Sequence, residues 1–191
     1  MGGVGQAAIM LAQNVGAEIF VTVGSEEKRQ RLMATYSIPE DHILNSRNAS
    51  FAKDVMDATG GKGVDVVLNS LAGPLLAASW NCIAAFGRFI EIGKRDLELN
   101  KSLHMGPFVR SASFASLDLI TLGELRGDVV AEIFTHINSL LQAHAIRPVS
   151  PISKFAISDA ESAYRKMQAG RHMGKILVVP SEDEHVKVRD D

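Results

Sequence analysis

The feature that most constrains this chain is a repeated exchange of helix-like and strand-like segments across its first half. Residues 6–15 (QAAIMLAQNV) carry strong helix formers and stop at Gly16, which suits a left-handed C-terminal cap. Residues 17–23 (AEIFVTV) form a short apolar run closed by Gly24-Ser25, the pattern of a buried strand. Ser25 then opens a helix to about Tyr36, with Glu26 and Glu27 near its positive end. Residues 42–44 make a further strand, and Ser50 begins a helix that stops at Thr59-Gly60-Gly61. The run 64–68 (VDVVL) is short and β-branched, residues 75–85 read as helix, and 88–92 (RFIEI) again as strand. Alternation of this kind, with nearly continuous apolar strands, predicts an α/β fold: a doubly wound, Rossmann-type parallel sheet covered by helices on both faces.

Beyond residue 92 the rhythm loosens. Residues 113–116 read as strand and 129–144 as an amphipathic helix, while Pro148 and Pro151 mark a connector. Ser158-Asp159-Ala160-Glu161 has the form of a capping box for a helix to about Ala169. Residues 175–179 (KILVV) form a last strand ahead of a charged tail, 181–191. With 46% hydrophobic residues the chain can bury a core, which excludes disorder as its general state. A net charge of −2 gives no electrostatic case for nucleic acid. The apolar runs fall short of the roughly 18–20 residues that span a membrane. The lone cysteine, Cys82, cannot form an internal disulfide, so a cytoplasmic setting is expected.

Three groups of residues carry chemistry. Gly2-Gly3-Val4-Gly5 open the first helix, where glycines admit a pyrophosphate to unpaired N–H groups; a bland turn fits the same residues. At the end of the next strand stands Ser25, followed by Lys28 and Arg29, with no acid inside the strand to bind a ribose 2′-hydroxyl. A small hydroxyl with nearby cations suits a 2′-phosphate, hence NADPH over NADH, although such cations more often solvate a helix face. The third group, Asn69-Ser70-Leu71-Ala72-Gly73 and Gly93-Lys94, follows two strands at their C-terminal ends, where parallel sheets bind ligands. Lys94 is placed there to donate a proton or hold a developing enolate, against the commoner role of a solvated loop lysine. The six histidines form no HExxH pair and there is no GxSxG elbow, so neither zinc nor serine-nucleophile chemistry is expected.

Taken together, GGVGQAAIMLAQ, TVGSEEKR, TGGKGVDVVLNSLAG, GRFIEIGKRD and GRHMGKILVV resemble the enoylreductase domain of polyketide synthases and of animal-type fatty acid synthases. These belong to the zinc-independent branch of the medium-chain dehydrogenase/reductase superfamily, and the set looks most like a fungal reducing polyketide synthase. The likeness runs from Gly2 to about Val179. It implies NADPH-dependent reduction of an α,β-enoyl thioester held on an acyl carrier protein, with other synthase domains as partners and a homodimer as a possible assembly. It carries the NADPH contacts onto Gly2, Gly3, Val4, Gly5, Ser25, Lys28, Arg47, Asn69, Leu71 and Gly93, and the proton donor onto Lys94. For the assisting aspartate the nearest candidate is Asp118, two residues ahead of the matching position, which holds Ile120.

The division expected is a nucleotide-binding domain over 1–147, a C-terminal reductase segment over 148–180 and a tail or linker over 181–191. The family also has a GroES-like substrate domain and one further strand ahead of the first glycines. Without them the chain reads as N-terminally truncated, with two neighbouring sheet edges left unpaired. A quinone or alkenal oxidoreductase and a non-catalytic NADPH-binding fragment are the alternative readings.

Overall fold

The structure is a computed structural model that describes residues 1–170 and 172–180. In chain order its first elements are α1 (Gly3–Asn14), β1 (Val21–Val23), α2 (Glu26–Tyr36), β2 (Ile43–Asn45), α3 (Ser50–Ala58), β3 (Val64–Asn69), α4 (Pro74–Asn81) and β4 (Ile83–Glu91). There follow α5 (Arg95–Glu98), β5 (Ser113–Ser116), α6 (Leu119–Leu125), α7 (Gly127–Gln142), β6 (Ile152–Ala156), α8 (Ala160–Gln168) and β7 (Lys175–Val179). Every ladder is parallel and helices interleave with the strands, as the alternation predicts. The hydrogen-bonded groups are β1–β2, β3–β4–β5 and β6–β7, so the ladders do not run through one continuous sheet. Among the described residues β1 is laddered on one side only, to β2, and β3 likewise only to β4.

The chain divides into two compact units. One contains Met1–Ile19, Glu26–Ile38 and the described residues from Leu140 onward; the other contains Phe20–Ser25 and Pro39–Ser139.

The first unit is organised around Gln6, which is fully buried. Its side-chain amide donates to the carbonyls of Met1 (3.0 Å) and Ser150 (2.8 Å). Its oxygen accepts from the Tyr36 hydroxyl at 2.6 Å and from the Ser150 N–H at 3.1 Å. One glutamine thereby joins α1, α2 and the 148–151 connector, with all its polar valences filled. At the other end of α1, Gly16 (φ +69°) donates to Gln13 and Ala17 to Ala12, the paired bonds of a Schellman cap. β6 and β7 pair over five residues, from Ile152↔Lys175 to Ala156↔Val179.

The core of the second unit lies around Trp80, Ile83 and Phe89, each 0% exposed. The Trp80 ring meets Phe89, Phe108 and Phe114 edge-on, and its N–H donates to the His104 carbonyl at 2.8 Å. A neighbouring cluster of Leu44, Phe51, Val55 and Cys82 joins β2 and α3 to the end of α4. No helix among the described residues is long and apolar enough to cross a membrane.

Several expectations are corrected. The strand expected over 17–23 is confined to Val21–Val23. The helix expected to reach residue 85 stops at Asn81, because Ile83 already pairs with Val64 while Val66 pairs with Arg88. The extra residues of β4 are taken up by a bulge in which Phe86 has φ +60°. A side chain at Gly87 would meet the Ile83 side chain at 2.6 Å, so only glycine closes the bulge. Beyond the connector at Pro148 and Pro151 lies β6, a strand not expected, whose pairing partner lies more than twenty residues downstream and leaves no local mark. Helices α5 and α6 were not expected, and α7 starts at Gly127 instead of residue 129. The capping box does not form as read: α8 follows a 3-10 turn (Ile157–Asp159), with Asp159 at the cap position and no side-chain cap bond. The charged tail 181–191 lies outside the described residues.

Candidate functional site

The residues expected to touch a nucleotide are divided between the two units. In the first unit, Gly2 caps α1 in extended conformation without a side-chain bond, and Gln6 makes the first intrahelical hydrogen bond, to Gly2. The N–H groups of Gly3, Val4 and Gly5 therefore belong to the helix end that has no intrahelical acceptor. A side chain added at Gly2, Gly3 or Gly5 would meet nothing within 4 Å, and Val4 is 61% exposed. The space over the start of α1 is open, which fits an anionic phosphate group. Lys28 stands in the first turn of α2 of the same unit, whereas Arg29 is turned onto its own helix, 3.8 Å from Glu26. The same unit holds a cavity of about 330 Å³ lined by residues including Met10, Gln13, Tyr36, His144 and Arg147, none of them a sequence-predicted site residue.

In the second unit the end of β1 brings Gly24-Ser25 beside Arg47. A Cβ at Gly24 would stand 3.2 Å from Arg47 Nε and 3.4 Å from Ser46 Oγ, so glycine permits the guanidinium to lie against the backbone. The Arg47 N–H donates to Asn45 Oδ1 at 2.9 Å, which fixes the turn after β2. Arg47 thus lies against the backbone at Gly24, the residue before Ser25.

The other cluster forms where β3, β4 and β5 end side by side. Asn69 and Glu91 are register partners, as are Glu91 and Ser116. Asn69 is 3% exposed, and its amide donates to the Leu71 carbonyl at 2.8 Å and to Glu91 Oε2. With both amide protons engaged, only Asn69 Oδ1 is left to meet a ligand directly. Gly73 (φ +61°) begins α4 in a conformation that favours glycine, and its N–H donates to Asp96.

Lys94 caps α5, and its Nζ lies 2.9 Å from Asp118 Oδ1. Asp118 caps α6, accepting from the Ile120 N–H at 3.0 Å and from the Thr121 hydroxyl at 3.0 Å. The Lys94 ammonium foremost, then the Ile120 N–H, holds the Asp118 carboxyl below its ordinary range. The acid ahead of the matching position reaches Lys94, and Ile120 supplies the N–H that orients it. Sequence reasoning missed Glu91, Asp96 and Thr121. For Glu91 a signal existed: period-two alternation puts it on the same strand face as Phe89, an unusual place for an acid.

Cys82 is a packing residue. It is 3% exposed with its thiol directed at the Ala78 carbonyl (3.3 Å), and burial pushes its pKa up to about 11. The described residues contain no group of three or more His, Cys, Asp or Glu side chains placed to hold a metal ion. They do not fit a zinc site.

Comparison with known proteins bears on this arrangement. A family profile described as zinc-binding dehydrogenase matches residues 39–178. The highly reducing polyketide synthase poxF of Penicillium oxalicum is 63% identical over 187 residues, which are 98% of this chain and 7% of that protein. The chain therefore spans only a small part of the curated relatives it matches. Among solved structures, the CurK enoyl reductase superposes with a TM-score of 0.81 at 33% identity, over 94% of this chain and 52% of that one. The nucleotide-binding subdomain of the enoylreductase domain of PpsC from Mycobacterium tuberculosis superposes with a TM-score of 0.70 at 36% identity, over 76% of this chain and 80% of that one.

Proposed function

Because this chain belongs to the zinc-binding dehydrogenase family, as the nucleotide-binding part of a polyketide-synthase enoylreductase, we propose that it binds NADPH and serves in the reduction of α,β-enoyl thioesters. The substrate would be carried by an acyl carrier protein, and other domains of the longer synthase would be its partners, in the cytoplasm. The observation that carries the reading is the Lys94–Asp118 pair at the ends of β4 and β5, beside Gly93 and the Asn69–Leu71 turn.

When bound, NADPH supplies the hydride that reduces the β-carbon of the enoyl group. The chain's own residues then have three tasks. The N–H groups at the start of α1, with Gly2 to Gly5, hold phosphate. Ser25 and Arg47 supply a hydroxyl and a cation suited to a 2′-phosphate, and Lys28 is a further cation that the sequence assigns to NADPH preference. Lys94 Nζ delivers a proton to the α-carbon, completing addition of one hydride and one proton across the double bond. Asp118 holds the ammonium in place while leaving two of its protons free to point elsewhere. At 46% exposure the Lys94 side chain can recover its proton from water.

The test is titration of the chain with NADPH, with NADH as control, followed by NADPH consumption with an enoyl pantetheine thioester by a longer protein that contains it. NADPH-selective binding, and turnover that falls in Lys94→Ala more than affinity does, is the expected result. Equal affinity for the two nucleotides, or full turnover in Lys94→Ala, overturns the assignment of those residues.

A further inference from the structure

Glu91 is the one buried carboxylate among the described residues, at 1% exposure. It takes part in none of the ion pairs formed by those residues. A carboxylate removed from water is costly unless its oxygens are filled by donors, so such a residue needs a structural reason. Two donors fill it: the Asn69 amide on Oε2 and the Gly93 N–H on Oε1, the latter at 2.5 Å. The main chain completes the connection: the Leu117 N–H donates to the Glu91 carbonyl at 2.9 Å, and the N–H of the next residue, Ile92, donates to the Asn69 carbonyl at 2.9 Å.

We infer that Glu91 is a positioning residue, a buried carboxylate that locks the turns after β3 and β4 together and thereby presents Lys94 to Asp118. Gly93 fits the same account. A Cβ there would stand 2.7 Å from Glu91 Oε1 and 3.4 Å from the Ser70 carbonyl, so the turn can close on the carboxylate only with glycine. Glutamine at position 91 would keep the shape but offer one acceptor where two are used. Either the Gly93 N–H would lose its partner, or Asn69 would have to turn and abandon the Leu71 carbonyl. The consequence for catalysis rests on the reduction proposed above; the positioning itself does not.

The experiment uses Glu91→Gln in the chain without cofactor or substrate. NMR follows amide exchange at Gly93 and the carboxyl titrations of Asp118 and Asp128. Asp128 is the internal control, since its carboxyl is also held low, chiefly by Arg126, at a place remote in sequence from Glu91. The expected result is Gly93 exchange faster by about tenfold or more, as a lost hydrogen bond allows. Asp118 moves up toward its ordinary value while Asp128 and the Phe89 amide stay as in the wild type. An unmoved Asp118 overturns the inference whatever happens at Gly93. So does a uniform change that includes Asp128 and Phe89, because that is general loosening. If Glu91→Gln does not fold, Gly93→Ala serves, since its Cβ displaces the carboxylate and should shift Asp118 in the same direction; an unmoved Asp118 there also overturns the inference. Failure to bind NADPH would sink the proposed function and leave these readouts standing.

Discussion

Lys94 Nζ and Asp118 Oδ1 stand 2.9 Å apart, from residues at the N-cap positions of two different helices, α5 and α6. The pair is assembled by strand order. β4 and β5 are adjacent and parallel, so the turns that leave them at their C-terminal ends lie side by side. The two groups lie 24 positions apart in the chain, and no local rule joins them.

Asp118→Asn should lower turnover of the intact enzyme more than it lowers NADPH affinity, by about tenfold or more if the pair orients the proton donor. The pH dependence has a definite sign. Asp118 is held below the ordinary carboxylate value of 3.8, so the stability it contributes is present above that value and is lost as pH falls through its lower, folded-state pKa. Melting curves of wild type and Asp118→Asn should differ at neutral pH and converge at strongly acidic pH.

Lys28→Glu and Arg47→Glu should each weaken NADPH by about tenfold while leaving NADH nearly unchanged, as expected for loss of a charge-assisted phosphate contact. Isothermal titration with both nucleotides decides it. If only Arg47→Glu has the effect, Arg47 holds the phosphate and Lys28 does not.

The Cys82 thiol should resist alkylation at pH 8. With its pKa near 11 instead of 9.0, the thiolate fraction is about a hundredfold lower than for a free thiol. A raised acid pKa stabilises the folded chain below the unfolded value and stops doing so as pH rises through the folded one. Stability attributable to Cys82 is thus complete below about pH 9 and lost between there and about pH 11. Labelling kinetics with a thiol reagent, native and in urea, measure the protection.

Gln6→Leu should destabilise the first unit by about 2–4 kcal/mol, because the Tyr36 hydroxyl and the Met1 and Ser150 backbone groups lose partners in a dry setting. Urea denaturation of the variant measures the loss. Tyr36→Phe, which removes only one of those bonds, should cost about 1 kcal/mol.

Sequence alone determined what depends on neighbours along the chain. The stop at Gly16, the turn at Gly60-Gly61, the strands at 64–68 and 175–179, and the identity of Lys94 as a residue after a strand all follow from local propensity and spacing. The sequence names Asp118 as a candidate but not as the partner of Lys94, because only the parallel pairing of β4 with β5 brings the two together. Tertiary structure alone decided what depends on distant residues. It ended α4 at Asn81 so that Ile83 could enter the ladder, paired β6 with β7 across more than twenty residues, gave Gln6 four hydrogen bonds and buried Glu91. The physical reason is the same in each case. A hydrogen bond or a buried contact between residues far apart in sequence outweighs a local preference of a few tenths of a kcal/mol, and only the folded chain brings such residues together.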